Sequence, residues 1–162
     1  MTKLLFAGVL CVVLTVESEL AIGIDAATLT VTKANDSGPG SLRDAVALAS
    51  PGDNIQFDAA LARIPILLTT GELLIDKNLM ITGLGRDSTL LDGNSSSRIL
   101  NARQDAIMAV SNLTIRNGFE GRIVSQGISE DVIAEGGGIF NAGDLTLEKC
   151  FCSRECCNKH DM

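Results

Sequence analysis

The residues of this chain that could do chemistry are scattered carboxylates, a terminal group of thiols and two glycine-rich loops. Asp53, Asp58, Asp76, Asp87, Asp92, Asp105, Glu130, Asp131, Glu135 and Asp144 are the acids spread along its body. Cleaving a polysaccharide with carboxylates takes a pair held at a set separation about the scissile bond. No D-x-D or other paired spacing recurs here. Most of these acids stand beside Gly, Asn or Ser, where an aspartate serves a turn by bonding its own backbone. The tail carries Cys150, Cys152, Cys156, Cys157 and His160, enough ligands for zinc in number. Their spacing matches no C-x2-C pair of pairs, and adjacent cysteines chelate one ion poorly. Gly83-Leu-Gly85-Arg86-Asp87-Ser88 starts like a dinucleotide loop but has Ser88 in place of the third glycine, with no helical pattern behind it. Gly136-Gly137-Gly138 lacks the Lys-Ser/Thr of a phosphate loop, so both stretches read as turns. The sequence therefore assigns no catalytic, cofactor-binding or metal-ligating residue.

The elements that would position such groups are short. Residues 28–32 (TLTVT) alternate as a β-strand does, with Leu29 and Val31 on one face. Asn35-Asp36-Ser37-Gly38-Pro39-Gly40 is a dense turn cluster. Ser41 opens a helix predicted over 41–49, with Asp44 three residues on as a capping box and Leu42, Ala45, Val46 and Ala49 on one face. Ser50-Pro51-Gly52 ends it. After residue 53 come apolar pieces such as Ile55–Phe57, Ile66–Thr69, Leu73–Ile75, Leu79–Ile81, Ile99–Leu100, Met108–Val110 and Leu145–Leu147, separated by Gly, Asn, Asp and Ser. Strands this short with turns this frequent predict an all-β fold.

The N-terminus reads differently. Lys3 is followed by an uninterrupted apolar run from Leu4 to Val16, closed by Glu17, Ser18 and Glu19. That run would make a helix of ~20 Å, short of the ~30 Å hydrocarbon core. It fits a signal peptide over 1–23, cut after Gly23, with Ser18 and Ala26 as alternatives. The formal charge of −7 becomes −6 once Lys3, Glu17 and Glu19 leave. An acidic surface gives no footprint for nucleic acid or anionic membrane, and the mature chain is not expected to span one. With no Trp, no Tyr and His160 alone, the body has no histidine base and no flat aromatic faces of those two types for sugar. Residues 24–149 contain no cysteine, so the body does not rely on disulfides that export would allow.

A loose repeat runs through the chain. Asn78-Leu-Met-Ile-Thr-Gly83, Asn112-Leu-Thr-Ile-Arg-Asn117 and Asp144-Leu-Thr-Leu-Glu-Lys149 share a polar residue, a leucine and a later aliphatic. Recurrence of this kind belongs to solenoids, in which each unit buries its apolar face against its neighbours. The leucines at 79, 113 and 145 are far enough apart for one coil with a loop, or for two coils. TVTKANDSGPGSLRDAVALA (30–49), LLIDKNLMITGLGRDSTLLDGNSSSRIL (73–100), NLTIRNG (112–118) and GGGIFNAGDLTLEKC (136–150) together resemble bacterial pectate-lyase-like right-handed parallel β-helix proteins. The similarity is to surface and secreted members, of the polymorphic outer-membrane-protein and autotransporter-passenger type, and covers about residues 28–150.

That resemblance implies an all-β right-handed parallel β-helix, a partial solenoid, with a short N-terminal helix capping its open end. It divides the chain into a signal peptide (1–23), an N-terminal strand and capping helix (24–52), β-helix coils (53–149) and a Cys-rich irregular tail (150–162). The abrupt change of composition after Cys150 reads as the end of a truncated fragment. The function implied is non-enzymatic: a secreted or cell-surface, adhesin-like repeat protein without cofactor, meeting an extracellular or surface partner. The alternative is the front part of a polysaccharide-active lyase or hydrolase whose catalytic coils lie elsewhere. An open last coil is expected to favour self-association.

Overall fold

The computed structural model describes residues 26–119, 121–126, 129–134 and 137–152. The expected signal peptide and its cleavage point, Cys156, Cys157 and His160 lie outside them. The described chain is mostly strand, arranged in parallel sheets, with one short α-helix and one 3-10 turn.

Strand β1 (Thr28–Val31) and helix α1 (Leu42–Leu48) come first. They are followed by β2 (Asn54–Phe57), β3 (Pro65–Leu67), β4 (Leu73–Ile75), β5 (Leu79–Thr82), β6 (Leu90–Asp92), β7 (Leu100–Ala102), β8 (Ile107–Ser111) and β9 (Thr114–Arg116). Then come β10 (Gly121–Gln126), β11 (Ser129–Ala134), β12 (Ile139–Asn141), β13 (Asp144–Glu148) and β14 (Phe151–Cys152). The first sheet has the order β1-β2-β5-β8-β13, the second β3-β6-β9-β14 and the third β4-β7-β12. All pairs within them are parallel. From β2 onward the chain visits the three sheets in rotation, and only the antiparallel pair β10–β11 interrupts the sequence.

Register explains the core. Leu29, Ile55, Ile81, Val110 and Leu147 lie opposite one another in successive strands of the first sheet. Ile66, Leu91, Ile115 and Cys152 do so in the second, and Leu73, Leu100 and Ile139 in the third. Leu147 apart, these rows and Leu42, Ala45 and Val46 of α1 form one buried cluster, with Leu29 and Cys152 packed against it at half-buried positions. Side chains alternate across a strand, so a slip of one residue would turn a whole row out to water. The rows lose cover at the far end. Val110 is 1% exposed, and Leu147, its partner on β13, is 41% exposed.

The helix forms where its sequence says it should. Ser41 caps it, its hydroxyl accepting from the Asp44 N–H at 3.2 Å. The Asp44 carboxylate reaches back one residue further than a capping box requires, accepting from Gly40 N–H at 3.2 Å. At the other end Lys77 donates to the Ala49 carbonyl at 3.2 Å, satisfying an otherwise unpaired acceptor. The helix packs on β1 and β4, which are edge strands of the first and third sheets.

The loose leucine repeat survives in register only in part. Leu79 and Leu145 both stand opposite Met108 in the first sheet, whereas Leu113 lies in the connection between β8 and β9. The real circuit is shorter. Leu91 follows its partner Ile66 by 25 positions, and Ile115 follows Leu91 by 24. Ile139 follows Leu100 by 39, because the β10–β11 hairpin is inserted in that circuit. The sequence beyond Cys150, expected to be irregular, begins as strand β14, which pairs with β9.

Two reasons put Asn and Gly at the corners. Asn94, Asn112 and Asn117 take positive φ (54, 56 and 53°), which asparagine tolerates. Gly83 and Gly118 instead allow close approach: a Cβ at Gly83 would run into the Asn112 carbonyl, and one at Gly118 into that of Gly137. Gly83→Ala is therefore expected to lower stability by about 1–3 kcal/mol, as overpacking does. A urea titration of the folded chain checks this, and an unchanged midpoint would contradict the close stacking of circuits.

Candidate functional site

Two carboxylates accept more hydrogen bonds than any other side chain among the described residues. The first, Asp36, sits in the turn cluster before α1. Its Oδ2 accepts from the N–H and hydroxyl of both Thr69 and Thr70, at 2.7 to 3.1 Å. Its Oδ1 accepts from Arg43 Nη2 at 2.8 Å and Nε at 3.2 Å. Arg43 also donates to the Gly71 and Glu72 carbonyls at 2.6 and 2.9 Å. This joins the segment before α1 to the connection between β3 and β4. Burial opposes ionisation of Asp36, but the bonds from Thr70, Arg43 and the Thr69 and Thr70 amides outweigh it, holding the carboxyl below the usual carboxylate range.

The second lies on the outer side of the second sheet. Asp92, at the end of β6, stands opposite Arg116 of β9. It accepts from Arg116 Nε at 2.8 Å, from the Asn94 N–H at 2.9 Å, and from Asn117 Nδ2 at 3.0 and 3.1 Å on its two oxygens. Burial again works against the charge, and these bonds again prevail, so its pKa is lowered. A carboxylate so fully occupied as an acceptor is suited to holding structure rather than to moving protons.

Beside this cluster is an open concavity of about 470 Å³ lined by Arg86, Asp87, Leu90, Thr114, Arg116, Asn117 and Phe151. Its floor is one outward row, since Leu90, Thr114 and Phe151 are register partners in β6, β9 and β14. The loop after β5 forms one wall. It is pinned there by the Thr114 hydroxyl, which donates to the Arg86 carbonyl at 2.6 Å, and Arg86 reaches over the Phe151 ring, 5.8 Å from its centroid. Arg116 forms the opposite wall. Its volume is within the range of small-ligand sites. Guanidinium groups flanking an apolar floor are suited to binding a group that is anionic at one end and apolar at the other.

Of the nine described acids singled out in the sequence, five stand in turns or connections and four in strands. Asp53 accepts from Ser50 N–H and Ala27 N–H, and Asp58 caps the 3-10 turn by accepting from Ala60 N–H. Asp76 and Asp87 face the neighbouring Lys77 and Arg86 at 3.8 Å. Asp105 occupies a turn at φ 70°, and Asp144 opens β13. Glu130 and Asp131 fall in β11, and Glu135 lies outside the described residues. Among the described residues no group of three or more His, Cys, Asp or Glu is placed to hold a metal ion. Gly83 and Gly85 stand in the loop after β5, whose Arg86 and Asp87 line the concavity.

Sequence reasoning missed Asp36, which reads as one more turn residue, and missed the pairing of Asp92 with Asn117. The signal for the second was present: Asp92-Gly93 and Asn117-Gly118 are the same corner one circuit apart. Compared with known proteins, the chain matches no family model, no curated protein and no solved structure. No described helix is long and apolar enough to cross a membrane.

The pKa of Asp36 gives a signed prediction. A carboxyl whose folded-state pKa is depressed stabilises the fold above its ordinary value of 3.8, and that stability is lost as pH falls from there toward the folded value. Asp36→Asn is expected to cost about 2 kcal/mol near neutral pH. The gap from the parent chain should narrow as the pH drops below about 4. Thermal midpoints measured across pH test this, and a gap that stays constant would show that the charge of Asp36 is not what the fold uses.

Proposed function

We propose that the chain is a stretch of right-handed parallel β-helix, exported by its N-terminal segment. On this reading it acts outside the cell or at its surface as a non-enzymatic, adhesin-like binding protein. The observation that carries the architectural part is the rotation through three parallel sheets, with aliphatic rows continuing from one circuit to the next. Parallel strands joined by short turns and buried on the inner side are the arrangement a solenoid needs. In this reading α1 is the cap, because it buries apolar residues against edge strands at the end where the stack begins.

The binding part rests on the outer face of the second sheet. The hydrogen bonds of Asp92 and Thr114 fix the concavity of Arg86, Leu90, Arg116 and Phe151. An open, amphipathic recess with a single lining carboxylate, Asp87, and with Asp92 beside it fully occupied as an acceptor, offers no carboxylate pair and favours recognition over turnover. The partner that fits is an extracellular molecule offering carboxylates or sulfates beside apolar surface.

The test uses the chain expressed with its N-terminal segment and recovered from outside the cytoplasm. It should be recovered shortened at its N-terminus. It should bind arrayed acidic glycans or matrix proteins saturably, and release neither reducing ends nor unsaturated uronates from polysaccharides. Arg86→Ala and Phe151→Ala are expected to weaken binding about fivefold to thirtyfold each, as the loss of 1–2 kcal/mol does. Product release would overturn the non-enzymatic reading. Binding unaffected by either substitution would remove the recess from it.

A further inference from the structure

Asn117-Gly118 is the sole Asn-Gly step in the sequence. Such a step is the most prone to spontaneous deamidation, because glycine leaves the following amide nitrogen unshielded. The nitrogen of residue 118 attacks Cγ of Asn117, and a C–N bond forms as the Cγ–Nδ2 bond breaks. Ammonia leaves, and water opens the resulting succinimide to aspartate or isoaspartate. Asn117 is exposed to solvent, so water is at hand.

The structure restrains this step from three sides. The Asn117 amide is held by both oxygens of Asp92 at 3.0 and 3.1 Å, with the nitrogen necessarily facing the carboxylate, which can only accept. The Asn117 carbonyl accepts from Ser95 N–H at 2.8 Å. Gly118 is buried and packed so closely against the Gly137 backbone that no Cβ would fit. To react, the side chain must leave Asp92 and swing toward the nitrogen of a residue packed directly against the Gly137 backbone.

We propose that Asn117 is a latent modification site that the Asp92 carboxylate keeps closed, and that deamidation there unlatches the corner joining successive circuits of the second sheet. After conversion, residue 117 would present a carboxylate to Asp92 across the distance now spanned by a hydrogen bond. Two carboxylates that close cannot both stay charged without cost. Arg116 is already bonded to Asp92 and neutralises only one of them. Among the described residues, Arg86 and Asp87 are the other charged groups of the same recess. The isoaspartate product also lengthens the backbone by one atom, at a place where the Ser95 bond and the Gly93 and Gly118 contacts leave no slack.

The experiment follows deamidation of the peptide containing residue 117 by mass spectrometry, in the full chain kept near neutral pH. The folded chain is compared with the same chain in denaturant. Deamidation is expected to be at least about tenfold slower in the folded chain, the effect of breaking one charge-assisted hydrogen bond before reaction. Asp92→Ala, shown folded by its circular dichroism and its urea transition, should recover most of the denatured rate. Equal rates in the folded and denatured parent chain would overturn the proposal, as would a folded Asp92→Ala that reacts as slowly as the parent. Should Asp92→Ala fail to fold, Asn117→Asp decides. Its thermal midpoint should fall below that of the parent near pH 7.5 and approach it near pH 4.5, where the crowded pair takes up a proton. A midpoint equal to the parent's at both pH values, or an offset that does not change with pH, would overturn it.

Discussion

Each short strand of the three parallel sheets is held by the strand one circuit before it, the strand one circuit after it, or both, and the rest of the structure depends on that parallel register. A strand so short makes too few hydrogen bonds to persist alone. Stacked in register, the same strands bring Ile55, Ile81 and Val110 into one row, Ile66, Leu91 and Ile115 into another, and Leu73 and Leu100 into a third. Burying each such side chain is worth about 1.5–3 kcal/mol relative to leaving it in water. The gain belongs to neighbours jointly: among the described residues Leu147, on the edge strand β13, is far more exposed than its partner Val110.

Close approach between circuits has to be permitted at the corners as well as rewarded in the core. Gly83, Gly93, Gly118 and Gly143 each face backbone atoms where a side chain would stand, so these glycines set how tightly the circuits can stack. The asparagines do a different job, turning the chain at positive φ and bonding across circuits. Asn117 does both. The corner of the second sheet is thus a polar counterpart of the apolar rows, with one circuit's aspartate held by the next circuit's arginine and asparagine.

The start of the stack shows local and long-range order meeting in four residues. Gly40 takes φ 85° beside Thr32, Ser41 caps the helix, Leu42 is fully buried, and Arg43 carries the helix's link to Asp36 and to the Gly71 and Glu72 carbonyls. Ser41 and Leu42 act within one turn of chain, which is why the helix is plain in the sequence. Arg43 and Asp36 act on residues about thirty positions away. The same segment therefore begins a helix and fastens it to a connection the chain has yet to make.

What the sequence by itself determined was local in origin. The alternation of Leu29 and Val31, the Ser41 cap, the helix face of Leu42, Ala45 and Val46, and the short aliphatic pieces after residue 53 all follow from periodicity and turn chemistry, and each is found where it was expected. What only the tertiary structure decided was pairing. The leucines at 79, 113 and 145 look equivalent along the chain, yet only Leu79 and Leu145 share a row, both opposite Met108, while Leu113 falls between β8 and β9, because circuits of 24 to 39 residues do not keep a fixed period. The β10–β11 hairpin, the strand character of Phe151–Cys152, the many bonds of Asp36 and the recess built on Leu90, Thr114 and Phe151 were hidden for the same reason. Each depends on which distant backbone lies alongside, and that is set by the summed fit of the buried rows rather than by any segment alone.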